Sequence, residues 1–265
     1  DRQADPALLA EAMMLPEEDY LAEQMEVVDV DGIHVARKFI KSGLATELKT
    51  LFVDRYTELN DGRPYQKSPT DMARRSLKNI CLSYLQETDA GESLANAQLG
   101  ASDNMTDTLA AIRALVFMES PLAETALSAF ESNWKEDALV MDKWFIMQAI
   151  KPGKDTLVKV RELMGHAAFS IQNPNKVRAL IGVFSMLNPT GFHASDGSGY
   201  AFHADRIIEL DAINPQIAAR MATAFNRWKR YDDERKALMR AELQRIAAVE
   251  NLSGDVSEIV VNALR

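Results

Sequence analysis

The chain has 265 residues, 47% of them apolar and 26% charged, which is the balance of a water-soluble globular fold large enough for one big core or two smaller ones. Its net charge of −9 excludes a general nucleic-acid binder, which needs a cationic footprint. A single cysteine, Cys81, excludes an internal disulfide and fits a reducing compartment, so a cytoplasmic location is expected. No apolar run approaches the roughly 20 residues that span a bilayer, so no membrane span is expected.

The chain opens with DRQADPALLAEAMM, without an initiator Met or a signal-peptide pattern, and reads as a piece of a longer protein. Six of its nine prolines follow Asp, Ser or Asn, at Asp5, Ser68, Ser120, Asn173, Asn188 and Asn214. Five of those six lead straight into runs of helical spacing, a repeated pairing of cap and proline. Residues 5–14 and 16–25 read as two short helices. Asp29 or Asp31 caps the next, which Gly43 breaks or kinks before LATELKTLFVDRYTEL. The stretch EVVDVD (26–31) is the closest approach to a strand, short and isolated. NDGRPYQK (60–67) is a loop by composition.

Ser68 and Asp71 have capping-box spacing, and behind them Ala73, Leu77, Ile80, Cys81, Tyr84 and Leu85 form one apolar stripe. Asn104 caps a helix with Asp107 in the box position and the stripe Met105, Leu109, Ile112, Val116. Ser120-Pro121 starts another through Phe130. ALVMDKWFIMQAI (138–150) is apolar on nearly every side, the mark of a central helix, and Lys151-Pro152-Gly153 ends it. LVKVRELM continues the helical pattern. The tail reads as helices over about 231–248 and 254–264, with Ser253 or Asp255 as the last cap. The expected fold class is all-α: a superhelical stack of antiparallel helical hairpins, a HEAT/armadillo-like solenoid with a degenerate repeat.

Asn173 to Arg220 is the most function-like stretch. Asn173-Pro174 and Asn214-Pro215 should start two helices, NPNKVRALIGVF and NPQIAARMATAF, joined across a glycine-broken loop, FHASDGSGY (192–200). Each start carries an arginine about one turn in, Arg178 and Arg220, and Gln216 lies in the first turn of the second. Helix starts offer free N–H groups and partial positive charge, so the pair would suit carboxylates and carbonyl oxygens. The competing reading is two arginines paired with surface acids.

No catalytic constellation is legible. The histidines (His34, His166, His193, His203) include no pair four residues apart, so H-E-x-x-H is absent. His193 and His203 flank the glycine loop near Asp196 and Asp205, where a metal site is conceivable but packed or hydrogen-bonded histidines are the stronger expectation. Cys81 on its stripe is a small buried hydrophobe, and DGSG (196–199) is a turn rather than a phosphate loop. WKRYDDERK (228–236) could contact RNA, but a solvated helix with pairs such as Asp232–Lys236 fits the acidic whole better. The twelve methionines are core filler. Catalytic and metal-ligating residues are both expected to be none.

Several strings, in order, carry a resemblance: DNMTDTLAAI, LVMDKWF, NPNKVRALIG, FHASDGSGY, NPQIAARM, KRYD and ENLSGDVSEIV. Together they resemble the C-terminal helical domain of bacterial aminopeptidase N, a zinc metalloaminopeptidase, over nearly the whole chain. The resemblance implies that residues 1–265 form a single C-terminal domain of a longer enzyme and lack its first helices, its zinc ligands and its catalytic base. It implies a non-catalytic part of a broad-specificity exopeptidase, which closes the substrate chamber and contacts the distal part of the peptide through Arg178, Gln216 and Arg220. No cofactor is expected in this chain; the resemblance places zinc in the parent enzyme. The implied partners are the catalytic domain and the peptide substrate, with self-association of the isolated chain through uncovered apolar surface. The alternative is an independent helical scaffold that binds a protein or peptide on a concave face.

Overall fold

The computed structural model describes residues 4–265, so the first three residues of the opening string lie outside the description. In chain order the helices are α1 (Pro6–Ala12), α2 (Glu18–Glu23), α3 (Val30–Glu47), α4 (Lys49–Leu59), α5 (Pro69–Leu85), α6 (Gly91–Ala101), α7 (Met105–Phe117), α8 (Leu122–Trp134), α9 (Ala138–Ala149), α10 (Thr156–Met164), α11 (Pro174–Val177), α12 (Val183–Leu187), α13 (Pro189–Phe192), α14 (Ser198–Asp211), α15 (Pro215–Ala222), α16 (Asp233–Ala247) and α17 (Gly254–Leu264). Among the described residues there is no strand, only an isolated bridge between Val28 and Tyr231. The chain is all-α, as its capping pattern requires.

The caps behave as their chemistry dictates. Asp5 accepts from the Ala7 N–H at 2.7 Å, Ser68 from Asp71 at 3.2 Å, Asn104 from Asp107 at 3.0 Å and Ser253 from Val256 at 3.2 Å. The Asn188-Pro189 pair, to which the sequence reading assigned no particular helix, also opens one: Asn188 accepts from Gly191 N–H at 3.0 Å and α13 follows for one turn. The FHASDGSGY loop is correspondingly shorter, since α14 already begins at Ser198. Gly43 does not break its helix. α3 runs through it to Glu47, and the interruption before α4 falls at Leu48. α6, which carries no Asn, Asp or Ser cap, is a helix that the capping pattern did not announce.

Two compact units divide the chain. The first comprises 1–17 and 34–133, the second 18–33 and 134–265. In the first, α5 packs against α1, α4 and α7, and α6 against α7. Leu77, Cys81 and Leu85 on the α5 stripe are fully buried, and so is Leu82 beside it. Burial pushes the Cys81 thiol up to about 11, so it stays an inert thiol at neutral pH. A polar network crosses this core. Asp107 accepts from buried Lys78 at 2.8 Å and from Asn79 at 2.9 Å, besides its place in the capping box. Gln98 donates to the Asp107 carbonyl at 3.0 Å and accepts from the Tyr56 hydroxyl at 2.9 Å.

In the second unit α9 packs on α10 and on the turn after α11, while α14, α15, α16 and α17 pack on one another. α9 buries Met141, Trp144 and Phe145, although Leu139 stays exposed, so this helix is central on one side only. Phe184, Phe192, Tyr200, Phe202 and Phe225 are buried together, with edge-on ring pairs such as Phe192–Tyr200 at 5.2 Å. Burying one such ring stabilises the fold by about 1.5–3 kcal/mol.

Candidate functional site

The Asn-Pro starts fold as the sequence dictates. Asn173 accepts from the Asn175 N–H at 3.0 Å and α11 begins at Pro174. Asn214 accepts from the Ile217 N–H at 3.2 Å and α15 begins at Pro215. Arg178, Gln216 and Arg220 are all exposed. Arg178 donates to the Asn175 side chain at 3.0 Å, a contact within its own helix start that leaves most of its five donors to solvent. The ion pairs of the competing reading are not seen at Arg178 or Arg220 among the described residues, where the partner of Arg178 is Asn175.

What lies beneath Arg178 was not legible. Residues Arg178–Gly182 form a π-helical turn, in which the Val183 N–H reaches back to the Arg178 carbonyl. Such turns are rare, and they cluster at functional sites because the extra residue re-aims neighbouring side chains. α15 closes against the end of this turn. The Met221 methyl carbon stands 3.6 Å from where a Gly182 Cβ would be, and Met221 follows Arg220 directly. That contact joins the end of the π turn to the last turn of α15, away from the two helix starts. Neither arginine nor Gln216 lines the cavity of about 430 Å3 in the same unit.

Lys176 has the opposite fate from Arg178. It is buried at 4% exposure and donates to Asp142 at 2.7 Å and to the Ala138 carbonyl at 2.5 Å, both at the start of α9. This buried pair fixes α11, and so the turn that begins at Arg178. The signal was present in the sequence, since Lys176 shares a helical face with Leu180 and Phe184 rather than with Arg178.

The histidines by the glycine turn are structural. His203 is fully buried and its Nε2 lies 2.9 Å from the Met221 carbonyl, to which it donates. His193 lies between two hydroxyls, with Tyr200 2.8 Å from Nδ1 and Tyr231 3.0 Å from Nε2. Burial drives the ring of His193 down to about 3 and that of His203 to about 4, so both are neutral. No group of three metal-ligating side chains occurs among the described residues. In the DGSG turn, Gly197 has φ +72, and a Cβ on Gly199 would meet the Phe192 carbonyl at 2.3 Å. These glycines serve a tight turn and close packing, not a phosphate.

The basic string 228–236 is an internal clamp, which corrects its reading as a solvated helix. Arg230 donates to the carbonyls of Ala22, Glu23 and Met25, the last at 2.6 Å. Arg235 bridges Asp31 at 2.7 Å and Asp232 at 2.9 Å and donates to the His193 carbonyl. Asp232 caps α16 instead of pairing with Lys236, which reaches Asp233. The acidic segment 18–31 is thereby held to the tail of its own unit.

The matching family model is described as "Domain of unknown function (DUF3458_C) ARM repeats" and spans residues 1–265. The chain belongs to this family. The ARM-repeat description agrees with the expected stack of helical hairpins. The chain is 40% identical over 266 residues to Aminopeptidase N of Escherichia coli (strain K12), covering 100% of this chain and 30% of that protein. It is 40% identical over 265 residues to Aminopeptidase N of Haemophilus influenzae, covering 99% and 30%. A solved structure, Legionella pneumophila aminopeptidase A in complex with aspartic acid, matches with a TM-score of 0.90 at 33% identity, covering 100% of this chain and 32% of that one. The resemblance to the C-terminal helical domain of bacterial aminopeptidase N therefore holds over the whole chain, which spans about 30% of the length of the curated relatives it matches.

Proposed function

We propose that the 265 residues act as one non-catalytic C-terminal domain of a zinc-dependent aminopeptidase, packed on the catalytic part and contacting the distal end of the peptide substrate. The observation that carries this reading is the exposure of Arg178, Gln216 and Arg220 on the segments that follow two Asn-Pro caps, in a chain whose relatives are aminopeptidases. Arg178 closes the four-residue α11 and Arg220 lies in the last turn of α15, so the guanidinium groups themselves supply the positive charge, and a peptide brings carbonyl oxygens and a terminal carboxylate. Zinc is supplied by the parent, in a cytoplasmic setting. The experiment is direct: the 265-residue chain, with or without added zinc, should not cleave aminoacyl anilides or short peptides. Zinc-dependent turnover that follows this polypeptide through purification would contradict the reading.

The first unit supplies the face for the catalytic part. Val35, Phe39, Ile40 and Leu44 on α3, Leu48 at the junction and Leu51 on α4 are exposed, Phe39 at 78%. Clustered apolar side chains of this kind mark interaction surfaces. The isolated chain should self-associate, and Phe39→Glu with Leu51→Glu should return it to monomer in sedimentation-velocity runs. A wild-type chain that stays monomeric at high concentration would count against this face.

A further inference from the structure

The segment 18–31, which contains α2, differs from the rest of the second unit in what holds it. It carries Glu18, Asp19, Glu23, Glu26, Asp29 and Asp31, and no lysine or arginine. Its apolar anchors are few: Val28 and Val30 share a small buried cluster with Ile33, joined by half-buried Leu21, Ala22, Met25 and Tyr231. This cluster borders the cavity of about 430 Å3, which is lined by Ala22, Val28, Val30 and Ile33 and also by Pro189, Phe192 and Ala224. Side chains on the wall of a void have no partner atoms in that direction, which weakens their hold.

Charge supplies much of the rest. The stretch 227–236 carries five cations against three acids, and three of its arginines grip the segment. Arg230 donates to the carbonyls of Glu23 at 3.2 Å and Met25 at 2.6 Å, at the end of α2, where carbonyls lack helical partners. Arg227 pairs with Glu23 at 2.7 Å and Arg235 with Asp31 at 2.7 Å. Backbone joins backbone through the Val28 N–H, which donates to the Arg230 carbonyl at 2.7 Å. In both ion pairs the carboxylate is open to water, Glu23 at 45% and Asp31 at 68%, so salt screens them.

We infer that residues 18–31 form a strap that opens by itself, more often than the second unit unfolds, with ionic strength setting how often. Attraction to the basic stretch acts only while the strap is docked, so screening it favours the open form. Opening bares the apolar lining of the cavity, with Pro189, Phe192 and Ala224, to solvent. The strap has no part in the role proposed for Arg178, Gln216 and Arg220, so either reading can fail without the other.

The test is native-state hydrogen exchange of the 265-residue chain, read at the Val28 amide and at the interior amides of α14, whose Tyr200, Phe202 and Ile207 are buried. It is run in sodium chloride at about 0.01 M and about 1 M, where the Debye length is about 30 Å and about 3 Å. Corrected for intrinsic rates, Val28 should exchange about a hundredfold faster than α14 at low salt, and severalfold faster again at high salt. Glu23→Gln with Asp31→Asn should give the high-salt rate at low salt and remove the salt response, leaving α14 as protected as before. Arg230→Ala should speed Val28 exchange about tenfold, the loss of charge-assisted bonds to two carbonyls. If that variant unfolds, the salt series and the charge pair still decide the matter. Val28 protection equal to that of α14, exchange indifferent to salt, or an unchanged rate in the charge pair would overturn the proposal.

Discussion

Acidification from pH 7 to pH 5 should cost the folded chain about 4 kcal/mol through His193 and His203 alone. Both rings are buried and neutral when folded, titrating near about 3 and about 4 against 6.5 when exposed. A lowered folded value means that unfolding takes up a proton anywhere between the two values, so stability falls as pH falls. The contribution is complete above about pH 6.5, shrinks by about 1.4 kcal/mol per histidine per pH unit below it, and is exhausted near the folded values. Desolvation is the main cause in both; Arg235 adds to it at His193, where Asp232 opposes. Urea midpoints measured from pH 7 to pH 4.5 should show this decline, and His203→Gln should flatten it by one proton. A slope unchanged by that substitution would mean that His203 is protonated in the fold or reached by water.

Lys176→Ala should destabilise the second unit by about 3 kcal/mol, because it strands Asp142 and the Ala138 carbonyl without their partner. Adding Asp142→Leu should recover most of that loss, since an apolar pair of similar volume often replaces a buried ion pair without cost. Denaturation midpoints of the single and double variants measure the difference, and hydrogen exchange should report faster opening of the π-helical turn in the single variant. Equal destabilisation in both would show that packing of the lysine stem matters more than its charge.

Helix starts were legible because a cap is a local event. Asn173, Asn214, Ser68, Asn104 and Ser253 each satisfy an N–H two or three residues away, and nothing distant can change that. The all-α class follows from the same repetition. Gly43 misled because a helix tolerates one glycine where its neighbours pack, whereas the real break at Leu48 carries no breaker residue. The π turn at Arg178 depends on how α9 and α15 close upon it, which no local pattern encodes. The clamp by Arg230 and Arg235 was hidden for a similar reason, because its partners lie some two hundred residues earlier in the chain. Lys176 and Arg178 are both cations two positions apart, and only the helical face each shares with its neighbours separates the buried one from the one that faces solvent.

The two exposed arginines, Arg178 and Arg220, are where the proposed function can be tested most directly. In the proposed parent enzyme, Arg178→Ala and Arg220→Ala should each weaken binding of peptides by an amount worth about 1–3 kcal/mol, the value of a charge-assisted hydrogen bond. Single-residue anilides lack the distal carboxylate and should be affected less. The measurement is the ratio of kcat/KM for a peptide to kcat/KM for an anilide in each variant. The proposed role predicts that this ratio drops about tenfold with the anilide rate nearly intact. An unchanged ratio in both variants would contradict it.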